Sequence, residues 1–365
     1  MQLSTLTVRN FRNLAAIDVQ FPPEGAVVLG PNGHGKTNLL EAIYFLVLFR
    51  SFRSVKDREL VRFGADGFFV AGERESGRAG AASAARITAG YQIQGARKKV
   101  TVDGREVQRL SQAVGTLTAV VFSPADRELV AGGPAQRRRY LDVLLSLTTP
   151  GYLAALGAMR NALKQRNAAL RRAQGDAARA FDQPLAGAAA RVAAARQRWT
   201  ESWCGRYREL ARGLGEVAPA AMSYHQRHPE DEQDVEHLRR ALAQALDRDL
   251  RRGMTTVGPH RDDLALTLDG RELRRYGSAG QQRTAAVTLR LLEAEALRAA
   301  RGSQPIALYD DVFAELDADR QARLLGQIQA VLPGQAIVTA PRESEVPGGL
   351  LERARWRIWG GQIER

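Results

Sequence analysis

Eight consecutive residues, Gly30-Pro31-Asn32-Gly33-His34-Gly35-Lys36-Thr37, fit the phosphate-loop pattern G-x-x-x-x-G-K-[ST]. Such a loop turns successive backbone N–H groups inward and ends at a helix N-terminus, so it favours a polyphosphate before any side chain acts. Lys36 then reaches the β- and γ-phosphates as a point charge, and the Thr37 hydroxyl ligates a Mg²⁺ that bridges them. The cofactors predicted are therefore ATP and Mg²⁺. The competing reading is a glycine-rich turn with a surface lysine.

Two more groups offer chemistry. Asp310 and Asp311 close the apolar run Ile306-Ala307-Leu308-Tyr309, where a doubly wound sheet exposes its ligand-facing edge. Asp310 would hold Mg²⁺ through water beside Thr37, and Asp311 would orient or deprotonate the attacking water. Taken alone, the pair reads first as a strand end before a helix cap at Asp317. Ser278-Ala279-Gly280-Gln281 is a capping box, with Ser278 at the N-cap and Gln281 three residues on. The same small-residue approach makes Ser278, Gly280 and Gln281 a second anion site at a helix N-terminus. A loop and an anion-binding helix end so far apart in sequence suggest that the second serves the ATP of another subunit.

The elements that must position these residues follow from periodicity. Leu3, Leu6 and Val8, then Ile17, Val19 and Phe21, alternate as strands, and Ala26-Val27-Val28-Leu29 is a buried strand feeding the loop. Leu39, Leu40, Ile43, Leu46 and Val47 recur at helical spacing behind it. Arg9, Arg12 and Asn13 lie at the first bend, where they face a nucleotide or solvate a turn. Arg50 to Ser54 reads as a loop, and short β segments follow around 68–72, 86–93 and 98–102. Asp103-Gly104 and Asp269-Gly270 are hairpin signals, since both residues of each pair tolerate positive φ. The insert 77–85 reads as a flexible tip, and 119–122 as another buried strand.

From about 134 the chain becomes rich in alanine and arginine. Leu156, Met159, Leu163 and Leu170 mark one helix, and Leu185, Val192, Trp199, Trp203 and Leu210 a second, with Gly175-Asp176 in the turn of a helical hairpin. Val235, Leu238, Leu242, Leu246 and Leu250 mark a third. Between 151 and 213 twelve Arg or Lys face four acidic residues, a balance that suits either a solvated face or a DNA-contacting one.

Composition narrows the classes. The 365-residue chain is long enough for about two domains, and its 44% hydrophobic content argues against disorder. A net charge of +13 points to a polyanionic partner. Cys204 is the single cysteine, which excludes an internal disulfide and fits a reducing, cytoplasmic setting. No signal-peptide pattern is visible, and the longest strongly apolar run, 42–49, falls well short of the roughly 18 residues that cross a bilayer. No membrane partner is expected.

The order of phosphate loop, Arg137-Arg138-Arg139 helix, Gly258-Pro259-His260-Arg261-Asp262-Asp263, the stretch 277–284 (GSAGQQRT) and the stretch 310–317 (DDVFAELD) closely resembles the RecF family, bacterial recombination-mediator ATPases of the ABC and SMC head class. The resemblance runs from Leu3 to about Thr339. It implies an α/β fold: a P-loop ABC/SMC-type ATPase head from residues 1–131 and 254–365, with an inserted, mostly helical arm over 132–253. It also implies an ATP-dependent homodimer on single-stranded and double-stranded DNA. The Ser278 loop would close over the partner's γ-phosphate, with Asp317 in the dimer-facing loop. RecF-like proteins work with RecR and RecO to load RecA at gaps. Asp311 stands where ABC ATPases usually carry Glu, which suits slow hydrolysis, and Thr339 stands where many carry His. No glutamine is placed as a magnesium sensor after Phe122. Two rivals are a chromosome-structural ATPase of the SMC or RecN kind, which needs long heptad helices, and a transporter ATPase subunit, which needs a membrane partner.

Overall fold

The computed structural model describes residues 1–75, 84–227, 234–313 and 318–364. The expected tip at 77–85, except for its last two residues, and Asp317 lie outside the described residues. The chain divides into two compact units, one of Met1–Asp126 with Arg290–Arg365 and one of Arg127–Leu289.

The first unit begins with β1 (Gln2–Phe11), β2 (Leu14–Gln20) and β3 (Gly25–Leu29), followed by α1 (Lys36–Leu48). β4 (Gly67–Glu75), β5 (Ala85–Gln92), β6 (Arg97–Val102), β7 (Arg105–Glu106) and β8 (Ala119–Phe122) come next. Strands β2-β1-β4-β5-β6-β7 form an antiparallel sheet. The spacing from Leu3 to Leu6 breaks strict alternation. A register shift between Leu3 and Thr5 absorbs the odd residue, so both side chains remain buried. Asp103 and Gly104 take φ of 51° and 77° between Val102 and its partner Arg105, the two-residue hairpin that the pair predicts.

The second unit holds α2 (Glu128–Ala131), α3 (Pro134–Thr148), α4 (Tyr152–Arg171), α5 (Gly175–Arg179) and α6 (Asp182–Gly213). α5 occupies the turn expected between the two long helices. β9 (Ala220–His225), α7 (Val235–Gln244), α8 (Leu246–Arg252), β10 (Asp263–Leu268), β11 (Arg271–Glu272) and α9 (Leu273–Tyr276) follow. The third helix expected over 235–250 is thus two, separated at Ala245. This unit is also wider than the arm at 132–253, because it includes the antiparallel sheet β11-β10-β9.

Three arginines of the second unit are internal: Arg137, which forks onto the Asp263 carboxylate with two contacts of 2.8 Å, Arg166 and Arg196. Arg166 lies at 0% exposure and donates to Asp182 (2.8 Å), Asp249 (2.7 Å), the Thr255 hydroxyl (2.9 Å) and the Leu242 carbonyl (3.2 Å). Arg196 donates to Asp142 (2.7 Å), the Pro259 carbonyl (2.7 Å) and the Tyr152 hydroxyl (3.1 Å). Burial of a charge costs free energy unless each donor is matched, and here charged or polar acceptors supply the match.

From the second unit α10 (Ala279–Arg301) leads back into the first, which is completed by β12 (Ile306–Asp310), α11 (Ala318–Val331), β13 (Ala336–Ala340), β14 (Ala354–Trp359) and β15 (Gln362–Glu364). The order β15-β14-β3-β13-β12-β8 is parallel throughout except for the β14–β15 hairpin. β12 and β13 are buried along their whole length, the continuous apolar run typical of a parallel sheet covered on both faces.

Candidate nucleotide site

The loop 30–37 leaves the carboxyl end of β3 and enters α1 at Lys36. Gly33 and Gly35 have φ of 82° and 113°, a left-handed backbone that a β-carbon disfavours. A cavity of about 360 Å³ opens on the loop, lined by Asn32, Gly33, Gly35, Lys36, Thr37, Asn38, Arg53 and Asp311. Its size suits a small polyanion. Gly30 is needed at the loop's start, since a β-carbon there would stand 2.4 Å from the Ile358 carbonyl oxygen.

Three adjacent strands converge on this cavity. β3 brings the loop, β12 ends in Asp310 and Asp311, and β13, which lies between them, brings Thr339. The Thr37 hydroxyl donates to Asp310 Oδ1 at 2.7 Å, joining residues 273 positions apart. The Lys36 ammonium donates to the Gly30 carbonyl (2.7 Å), the Pro31 carbonyl (3.3 Å) and Asn32 Oδ1 (3.2 Å), and stands 3.8 Å from Asp311 Oδ2. Asp311 itself takes φ of 50°, a strained conformation for a residue with a β-carbon. Its N–H donates to Thr339 Oγ1 at 3.2 Å, and that hydroxyl lies 3.3 Å from one carboxylate oxygen of each aspartate. Burial pushes the Asp310 carboxyl up to about 6, against the Thr37 hydrogen bond that favours the ionised form, and the neighbouring Asp311 charge adds to the rise.

Arg12 does not reach into this cavity. It forks onto Glu41 with contacts of 3.0 and 3.2 Å and donates to the Glu59 carbonyl at 3.1 Å. Glu41 is fully buried one turn beyond Thr37, and it also receives the Ser51 hydroxyl and lies 3.7 Å from Arg53. Arg12 instead lines an adjoining cleft of about 1030 Å³ with Asn13, Asn38, Arg58 and the fully exposed Phe63. Asn38 borders both spaces and donates to Asn13 Oδ1 at 2.8 Å. Sequence reasoning missed Glu41 and Arg53 as parts of the site. A carboxylate on an otherwise apolar helix face was the available signal for Glu41.

Ser278, Gly280 and Gln281 lie in the second unit. The reciprocal capping box is present: the Gln281 N–H donates to Ser278 Oγ (3.2 Å), and the Ser278 N–H to Gln281 Oε1 (2.9 Å). Ser278 is exposed, and Tyr276 two residues earlier is 69% exposed.

A loop of this pattern between β3 and α1, facing paired carboxylates across a central parallel strand, defines a P-loop ATPase head of the ABC/SMC class, and a family model described as the RecF/RecN/SMC N terminal domain matches residues 2–349. The DNA replication and repair protein RecF of Anaeromyxobacter sp. (strain Fw109-5) is 39% identical, over 100% of this chain and 99% of its own length, and that of Myxococcus xanthus (strain DK1622) is 36% identical over 100% and 97%. The chain belongs to the RecF family. A solved structure of the recombination mediator protein RecF with ATP, of the RecFOR pathway, superposes with a TM-score of 0.88 at 31% identity, covering 99% of this chain and 96% of that one.

Proposed function

We propose that this chain is an ATP-dependent DNA-binding protein of recombinational repair and replication-fork maintenance. One observation carries the reading: Thr37, which lines the cavity of about 360 Å³, shares a 2.7 Å hydrogen bond with the buried Asp310 from the far end of the chain. That hydroxyl and carboxylate are the hard oxygen donors that Mg²⁺ requires. When bound, Mg²⁺ neutralises charge between the β- and γ-phosphates. The loop N–H groups and Lys36 bind the triphosphate, Thr37 and Asp310 hold the metal, and Asp311, steadied by Thr339, orients the attacking water. Arg12 and Arg53, held by Glu41, add positive charge beside the loop, and the cleft around Phe63 takes the base.

ATP binding draws two copies together, with Ser278, Gly280 and Gln281 of each sealing the other's γ-phosphate. The exposed Ser278 and Tyr276 suit a face that becomes covered. The functional division is a head from 1–131 and 254–365 with an arm from 132–253. The dimer forms on DNA at gaps and duplex–single-strand junctions in the cytoplasm, hydrolyses ATP slowly with DNA stimulation, and assists RecR and RecO in loading RecA.

A gel shift on gapped, duplex and single-stranded DNA with ATP or ADP, combined with sedimentation, tests this. ATP should support a dimeric complex whose affinity falls steeply with salt. A protein that stays monomeric with ATP and DNA, or binds DNA equally with ADP, overturns it.

A further inference from the structure

The hairpin of β14 and β15 turns through Gly360 and Gly361, both at positive φ (54° and 81°), as a two-residue turn requires. Its tip is tightly seated. A β-carbon on Gly361 would stand 2.3 Å from the Asn13 carbonyl oxygen, so no other residue fits there without displacing the β1–β2 turn.

From that tip three contacts converge on His34, the fifth residue of the phosphate loop. The Gly360 N–H donates to His34 Nδ1 at 3.1 Å, and the Gly361 N–H donates to the His34 carbonyl at 3.0 Å. The Trp359 indole lies over the imidazole with ring centroids 4.1 Å apart and planes tilted by 40°. Trp359 is nevertheless 64% exposed, so burial in the core does not account for its position.

His34 is flanked by Gly33 and Gly35, two of the loop's three glycines, both at positive φ. Left to itself, such a loop would sample many shapes and would have to be ordered when a phosphate arrived, which weakens binding. His34 gives the hairpin a side chain to grip between those glycines. We propose that the hairpin is a strut that holds the phosphate loop in its binding shape, with His34 and Trp359 as positioning residues for the triphosphate. The strut sets how tightly nucleotide is held and leaves the hydrolytic step to other residues. This inference rests on the reading that the loop 30–37 binds a nucleoside triphosphate.

The test uses the full chain and a fluorescent ATP analogue, with steady-state hydrolysis measured alongside. Trp359→Ala should raise both the dissociation constant and the KM for ATP about tenfold, the effect of losing one ordered residue's worth of preorganisation, while kcat stays within about twofold. Trp359→Phe, which keeps a ring, should restore binding. His34→Ala should match Trp359→Ala, and the double variant should be no worse than either, because the two act as one unit. Unchanged affinity in Trp359→Ala, or full additivity in the double variant, overturns the strut. If Trp359→Ala does not fold, wild-type affinity in His34→Ala overturns it equally. Lys36→Ala separates the two claims: if it loses nucleotide while Trp359→Ala does not, only the strut falls, and if it binds normally both fall.

Discussion

The first unit's nucleotide cavity and the second unit's interior handle charge in opposite ways. Arg166 and Arg196 are sealed in protein, with Asp182, Asp249 and Asp142 pinning their guanidinium groups. At the loop, Asp310 is strained toward its protonated form by burial, and Asp311 looks into open space at a positive φ. A matched charge in the interior holds helices together. A charge facing a cavity is held ready for something else.

Variants can break that contrast. The largest effect should come from Lys36→Ala, which abolishes nucleotide binding in titration while leaving the urea midpoint nearly unchanged, since the side chain serves the loop more than the core. Asp311→Asn should keep ATP binding, reduce turnover by at least about a hundredfold and leave a persistent ATP-bound dimer in sedimentation. In the interior the outcome reverses. Arg166→Ala leaves two carboxylates buried without their cation, so denaturation should record a loss of about 3–5 kcal/mol.

The pH response sharpens the comparison because the two regions carry opposite signs. Asp310 is raised to about 6, so its contribution to stability is fully present below the ordinary carboxylate value and is lost as pH rises through about 6. His260 in the second unit is pushed down to about 4 by burial, although its bond to the Thr255 carbonyl opposes the shift. Its contribution is present above pH 6.5 and is lost as pH falls through about 4. Urea titrations across pH 4 to 7 should show each slope vanish separately in Asp310→Asn and His260→Gln. The smallest change in stability should follow Arg171→Gln with Arg172→Gln. Both residues are exposed, Arg171 as the last residue of α4 and Arg172 just past it, and denaturation should move within about 0.5 kcal/mol. If they touch DNA phosphates, the salt dependence of binding falls by about two contacts.

The chemistry at the loop was legible because each piece is local. The phosphate-loop pattern, the carboxylates ending an apolar run, the Ser278–Gln281 box and both Asp-Gly hairpins depend on neighbours a few residues apart. What the sequence concealed depends on distant partners. Thr339 reaches both aspartates only because β13 lies between β3 and β12, and the His34–Trp359 stack joins positions that no local pattern relates. The basic arm was half legible. Its twelve cations were read as one surface population, yet two of them are internal. A signal existed: Arg166 falls in step with Met159, Leu163 and Leu170, and Arg196 with Val192 and Trp199, so both sit on apolar stripes where an unpartnered charge could not remain.

The strand order has a bearing on synthesis at the ribosome. β3, which carries the phosphate loop, emerges among the first thirty residues but is flanked by β13 and β14, translated some three hundred residues later. Until then the motif hangs from a sheet lacking both neighbours. A nascent or prematurely terminated chain would contain every residue of the loop and still lack the strands on either side of β3 that bring Thr339 and the Trp359 hairpin to it.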